Sequence, residues 1–333
     1  MSQNPNDFAE QIDRMANGYR DAQVLLTANR LGIFPLLEES PQTVPEMAKA
    51  LGATVRALQI LCDALVAVRL LRKTGDRYEN SDAARHCLLP SSPAPRTAIL
   101  LHNARLYARW GKLYQVAKSG RPVSDDQIDP DLSSTEADFA RAMADSARGV
   151  MRVTADALVL GRATRLLDVG GGPGLYSIEF ARRYPQLHCV IMDNEATLRI
   201  TRQNISQAGL EDRVTTLPGD ALEDDLRGPY DIIFVSNLIH SFSFNQNAML
   251  IRKCAENLNA RGLLCVKDFF LEPDRTSPVW AALFAVNMLV NTEKGNCYTV
   301  AEVSSWLEKA GLVVDPVRMI TPQTGLLTGR KEP

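Results

Sequence analysis

Residues 166–175 read Leu166-Leu167-Asp168-Val169-Gly170-Gly171-Gly172-Pro173-Gly174-Leu175. An apolar run meets a cluster of glycines, and helical periodicity begins at about Tyr176: a strand, a tight turn and a helix N-terminus in one stretch. Glycine lets the backbone come close to a ligand, and the first turn of a helix presents N–H groups that have no partner inside the helix. The dinucleotide fingerprint wants glycine at the first, third and sixth positions after the strand. Counted from Gly170, the sixth position is Leu175, so the fit is poor. What does fit is acid-x-Gly-x-Gly-x-Gly, carried by Asp168, Gly170, Gly172 and Gly174. A carboxylate ahead of the glycines repels a pyrophosphate. It suits a ligand that carries an ammonium beside a carboxylate, as a methionine moiety does.

The surrounding period is that of an α/β domain. From Thr164 onward, apolar strand-like runs alternate with helical segments, at 165–169, 177–183, 189–192, 196–208, 214–217, 231–236, 245–258 and 263–270. Such alternation predicts βαβ units and a parallel, doubly wound Rossmann-like sheet. Thr299-Val300-Ala301-Glu302 is a capping box whose helix Gly311 closes, and 313–320 and 325–328 read as two further strands. Open sheets of this kind bind ligands at the carboxyl ends of their strands. Asp193, followed by Asn194, ends the second strand, where an acid hydrogen-bonds ribose hydroxyls. Gly219-Asp220, followed by Ala221, ends the third and is placed to meet an adenine amine. Ser236-Asn237 ends the fourth, His240 follows it, and Asp268 ends the fifth. Their shared edge argues for a site more strongly than any single residue.

Toward the N-terminus the pattern is helical. Thr43-Val44-Pro45-Glu46 is a capping box opening a helix through Ala50, which Gly52 ends. A second helix spans about 54–68, with Leu58, Leu61, Leu65 and Val68 at helical spacing. Residues 70–80 read as a strand–turn–strand wing around Thr74-Gly75-Asp76, with Tyr78 facing inward. Helix, turn, helix and wing suggest a winged-helix unit. Helical pattern resumes from Thr97 to about Leu160, broken by the Pro-, Asp- and Ser-rich loop 120–134, and 136–160 is long enough for a connecting helix. The expected division is 1–100, 101–160 and 161–333.

Composition excludes several functions. The 333 residues carry 37 basic and 39 acidic side chains, a net charge of −2 that offers no footprint for nucleic acid or an anionic membrane. In helix 54–68 Arg56 and Asp63 are the only charges, whereas DNA readout needs Arg, Lys, Asn or Gln. A helix so apolar suits a protein partner better than a major groove. The six cysteines form no CxxC pair and no metal-ligand spacing, so no metal is expected and a reduced compartment fits. Residues 1–21 are polar and lack the apolar core of a secretory signal. The longest apolar run, 279–290, is well short of the roughly 20 residues that a spanning helix needs. A cytoplasmic location is the expectation.

From about residue 20 onward the chain resembles the class I small-molecule O-methyltransferases that share a winged-helix dimerisation domain, such as plant caffeate and hydroxyindole enzymes and bacterial antibiotic-tailoring enzymes. The resemblance rests on Asp168-Val169-Gly170-Gly171-Gly172 with Gly174, on Ala28-Asn29-Arg30-Leu31-Gly32-Ile33-Phe34 and the Tyr78 wing, and on the order of the motifs. It implies S-adenosylmethionine as cofactor, a small-molecule acceptor and a homodimer built through the N-terminal domain. It also implies an acceptor pocket lined by Trp110, Phe139, Met143, Phe269, Phe284, Asn287 and Met288, and hence an apolar or aromatic acceptor.

In that family a histidine after the fourth strand is usually followed by Asp-Trp-Ser-Asp and acts as general base. Here it is His240-Ser241-Phe242-Ser243. A glutamate that ends the fifth strand in the plant enzymes corresponds to Asp268, and their second glutamate to Cys297 before Tyr298-Thr299. The resemblance therefore implies His240 as base and Asp268 as the group that orients it, and leaves open N-, S- or C-methylation by proximity alone. Two other classes compete with the enzyme: a winged-helix DNA-binding regulator, and a scaffold that binds the cofactor without turnover.

Overall fold

The computed structural model describes residues 5–333, so the first four residues of the polar N-terminal stretch lie outside it. The chain forms two compact units, divided between Leu106 and Tyr107.

In the first unit the expected capping box is present. Glu46 N donates to Thr43 Oγ1, and Thr43 N donates back to Glu46 Oε2 at 2.7 Å, opening helix Val44–Leu51. Gly52 ends that helix at φ 63, a conformation that costs a side-chain-bearing residue more than it costs glycine. Helix Val55–Ala67 lays Leu58, Cys62 and Leu65 on a core shared with Phe34, Met47 and Tyr78. Leu61 is half-buried, and Val68 is an exposed cap. The wing is a hairpin of β2 (Leu71–Thr74) and β3 (Arg77–Asn80), and β1 (Gln42–Thr43) adds a third strand beside β3. Two residues are too few to show alternation, so that strand is invisible in the pattern. Tyr78 is fully buried, and its hydroxyl donates to Asp63 at 2.6 Å. One of the two charges on helix Val55–Ala67 is thus spent inside the unit.

The second unit holds β4 (Arg165–Val169), β5 (His188–Asp193), β6 (Val214–Pro218), β7 (Tyr230–Ser236), β8 (Leu258–Asp268), β9 (Leu312–Val314), β10 (Arg318–Met319) and β11 (Gly325–Lys331). The sheet order is β6-β5-β4-β7-β8-β11-β10, with β9 also on β11. Strands β4 to β8 pair in parallel and β11 runs antiparallel to β8. Chain order reverses on either side of the β4–β7 pair, the switch point at which such sheets open a crevice. Neighbouring residues go to opposite faces. Leu166, Ile232 and Leu263 pack with Ile178, Phe180 and Leu198, while Leu167, Ile233 and Leu264 pack with Leu250, Ile251 and Trp306. Both faces are covered, which is why the strands read as continuous apolar runs.

Two expectations are corrected. The connecting segment 136–160 is not one helix. It is Glu136–Arg148, capped by Thr135, then Met151–Ala157, with the break at Gly149-Val150 where glycine weakens helical continuity. The run 313–320 is split into β9 and β10 around Asp315-Pro316, because proline has no N–H for a ladder. Among the described residues no single helix is long and apolar enough to cross a membrane.

Candidate active site

The glycine loop joins the end of β4 to helix Leu175–Arg183. Gly170 N and Gly171 N donate to Met192 O at 2.8 and 3.3 Å, tying the loop to β5. Gly174 opens the helix at φ +78, and a Cβ there would stand 2.8 Å from Ile191 Cδ1 and 2.9 Å from Thr201 Cγ2. Gly172, at φ +54, differs: a Cβ would meet nothing within 4 Å. Its N–H donates to Asp193 Oδ2 at 2.9 Å, and its carbonyl accepts from Thr201 Oγ1 at 2.6 Å.

Asp168 lies beneath this loop with no exposure. Ser177 Oγ donates to its Oδ2 at 2.8 Å, while Oδ1 has no partner. Burial pushes the carboxyl up to about 7; the Ser177 bond opposes the shift and the charge of Asp193 adds to it. Burial also raises the carboxyl of Asp193, against the N–H groups of Gly172 and Asn194.

The other cofactor candidates divide. Asn194 is a helix cap, its Oδ1 accepting from Thr197 N at 2.9 Å, and its N–H donates to Asp193 Oδ1 at 2.8 Å. Gly219 N donates to Asp193 O at 3.1 Å, so the ends of β5 and β6 sit together. Asp220 is exposed, and its Oδ1 holds Leu222 N at 2.7 Å; Ala221 packs into the core. Asn237 adopts φ +53, its N–H donating to Lys267 O at 2.8 Å. Lys267 Nζ donates to Asn237 Oδ1 at 2.5 Å and to Ser236 Oγ at 3.4 Å. This buried lysine was hidden inside the apolar run 263–270. Its one signal is a charge where a doubly covered strand should carry none.

His240 sits on the short turn Ile239–Ser241, whose backbone is held by Asn247 Nδ2 donating to Ile239 O at 2.8 Å. Its Nδ1 lies 2.8 Å from Asp268 Oδ1, which also accepts from Phe269 N at 2.8 Å. A carboxylate facing Nδ1 selects the tautomer with the proton there, leaving the Nε2 lone pair as a base. The ring stacks on Phe269, at 6.0 Å between centroids, and meets Phe284 edge-on at 4.9 Å. Trp280, absent from the sequence-based set, contacts Phe269 edge-on at 6.2 Å. Cys297, at the place of the second family glutamate, is buried, and burial pushes its thiol up to about 12, so it brings no charge.

The expected acceptor lining is only partly gathered. Phe269 and Phe284 flank His240. Asn287 lies one turn beyond Phe284 on helix Val279–Asn291 and accepts from Trp110 Nε1 at 2.9 Å, with Met288 buried beside it. Phe139 and Met143 ride on helix Glu136–Arg148, which packs on helices Leu175–Arg183 and Glu195–Ala208. On that helix Phe139 is exposed and Met143 is half-buried.

The sheet order and the acid–glycine turn at its switch point define a class I methyltransferase. Residues 123–313 match the O-methyltransferase domain, and residues 14–90 match the O-methyltransferase dimerisation domain. The chain is 30% identical to 3-hydroxy-5-methyl-1-naphthoate 3-O-methyltransferase of Streptomyces sahachiroi, over 95% of this chain and 94% of that protein. It is 27% identical to the N,N-dimethyltransferase OxyT of Streptomyces rimosus, over 92% and 91%. Human N-acetylserotonin methyltransferase, solved with S-adenosylmethionine, superposes with a TM-score of 0.87 at 23% identity over 100% of both chains. The chain belongs to the O-methyltransferase family, whose members are S-adenosylmethionine-dependent and act on small molecules.

Proposed function

We propose that this enzyme methylates a hydroxyl of a small, flat aromatic metabolite, with His240 as general base. The observation that carries the reading is the His240–Asp268 contact at 2.8 Å, with the imidazole set between Phe269 and Phe284.

The residues at the loop fit the methyl donor. Asp168 offers a buried carboxylate oxygen that lacks a donor, which suits an ammonium. Gly172 leaves open space where a side chain would stand, and Asp193 presents a carboxylate for ribose hydroxyls at the end of β5. S-adenosylmethionine, when bound there, supplies an already activated methyl on a sulfonium. The protein's work is then alignment, and holding reactants in line is worth about 7–11 kcal/mol of barrier. Phe269 and Phe284 hold a flat ring against the imidazole. His240 Nε2 takes the hydroxyl proton as the oxygen–methyl bond forms, and Asp268 stabilises the imidazolium by holding Nδ1–H. Trp110 and Asn287 bound the acceptor side, with Met288 behind them.

A panel of hydroxylated aromatics, hydroxynaphthoates among them, tests this by release of S-adenosylhomocysteine, with the new methyl located by NMR. Methyl on oxygen is expected; methylation confined to amines would favour the second reading, an N-methyltransferase, which the OxyT relationship keeps in view. The dimerisation domain supports a homodimer, formed by the first hundred residues and measurable by sedimentation.

A further inference from the structure

The chemistry above leaves one buried charge unused. Lys267 is 1% exposed, and its ammonium touches only neutral oxygens, those of Asn237 and Ser236. Among the described residues it makes no ion pair. Its Nζ stands over the Tyr176 ring at 5.2 Å, a weak substitute for an anion. Burial pushes the group down to about 8, with the charge of neighbouring Asp268 working the other way. Desolvation makes a buried ammonium without a counter-ion costly, so an anion that completes this seat has much to gain.

The sheet register says which ligand end reaches it. Ser236 and Lys267 pair across β7 and β8, two residues beyond Phe234 and Cys265, whose side chains pack on the face covered by helix Leu175–Arg183. Asp168 points to the same face, bonded to Ser177, the residue after Tyr176. His240 pairs with Asp268, whose side chain alternates to the other face. One face thus carries both a carboxylate oxygen short of a donor and an ammonium short of an anion. That is the complement of an α-amino acid zwitterion.

We propose that Lys267, held by Asn237 and Ser236, seats the α-carboxylate of the methionine end of the methyl donor, opposite an ammonium site at Asp168. The proposal rests on the donor-binding reading above. Calorimetry on the full chain compares wild type with Lys267→Met, using two probes: S-adenosylhomocysteine, and decarboxylated S-adenosylmethionine, which keeps the ammonium and loses the carboxylate. The variant should weaken the first roughly 10–100-fold, as loss of a charged hydrogen bond does, and the second less than about twofold. Lys267→Arg should retain most of the wild-type affinity for S-adenosylhomocysteine. If Lys267→Met does not fold, Lys267→Gln is judged by the same ratio. Equal weakening of both probes, or of neither, overturns the proposal. It is overturned too if the variant raises KM only for carboxylated acceptors, which places the acceptor's carboxylate at the seat. Wild type that takes up neither probe defeats the donor-binding reading itself.

Discussion

His240 Nδ1 and Asp268 Oδ1 stand 2.8 Å apart across the carboxyl ends of adjacent parallel strands, although 28 residues separate them in the chain. Asp268 accepts a second bond from Phe269 N, so its orientation is set by the backbone before the imidazole arrives. The imidazole therefore faces a carboxylate whose direction is already fixed, the arrangement that the proposed base chemistry needs.

Asp268→Asn keeps the shape and changes the chemistry. An amide can donate to Nδ1 and stabilise the tautomer whose Nε2 carries the proton, which cannot act as a base. Single-turnover methylation with saturating donor should fall roughly 10²–10⁴-fold while affinity for S-adenosylhomocysteine stays within a few-fold. Asp268→Glu should recover part of the rate.

Asp168 makes stability depend on pH. Its carboxyl is held at about 7 by burial, above its ordinary value near 4. A group raised on folding contributes stability that is fully present below the unfolded value and lost as pH rises through the folded one. Relative to Asp168→Asn, the ligand-free wild type should therefore lose on the order of a few kcal/mol between about pH 4 and pH 8. Thermal unfolding of both proteins across that range measures the difference, and parallel curves would count against an isolated Asp168. Donor uptake should strengthen from pH 6 to pH 8 as the carboxylate ionises.

Two of the three left-handed glycines of the loop, Gly172 and Gly174, should fail in different ways. Gly174→Ala adds a Cβ at 2.8 Å from Ile191 Cδ1 on top of a strained φ, for a cost of about 2–5 kcal/mol. Gly172→Ala meets no atom within 4 Å and carries only the strain, about 1–2 kcal/mol. Calorimetry should rank S-adenosylhomocysteine affinity the other way among folded variants, because a Gly172 methyl would fill the open space in which the donor-binding proposal seats the nucleotide. Matching ranks in stability and affinity would contradict this.

Local pattern carried most of the fold. Apolar runs covered on both faces announced the parallel strands, and the acid–glycine turn announced the switch point. The strand-end carboxylates and His240 were legible because βαβ topology forces strand ends to one edge. What escaped depends on side-chain direction and non-local packing. Lys267 was absorbed into a hydrophobic run, since nothing local says that Asn237 turns left-handed to receive it. Asn194 reads as a cofactor residue, and its further part as a helix cap depends on where the helix begins. Phe139 and Met143 enter the acceptor set by resemblance alone, and local pattern does not show that their helix, Glu136–Arg148, packs on helices Leu175–Arg183 and Glu195–Ala208. The break at Gly149-Val150 lies inside a stretch whose periodicity continues through it.

The most direct test of the account is the single-turnover rate of His240→Ala, with S-adenosylmethionine saturating and a methylated hydroxyaromatic as readout. A fall of roughly 10²–10⁴-fold, with S-adenosylhomocysteine bound as tightly as by wild type, is the predicted result. A rate within about threefold of wild type would contradict it, because alignment alone would then suffice and the imidazole held by Asp268 would take no proton.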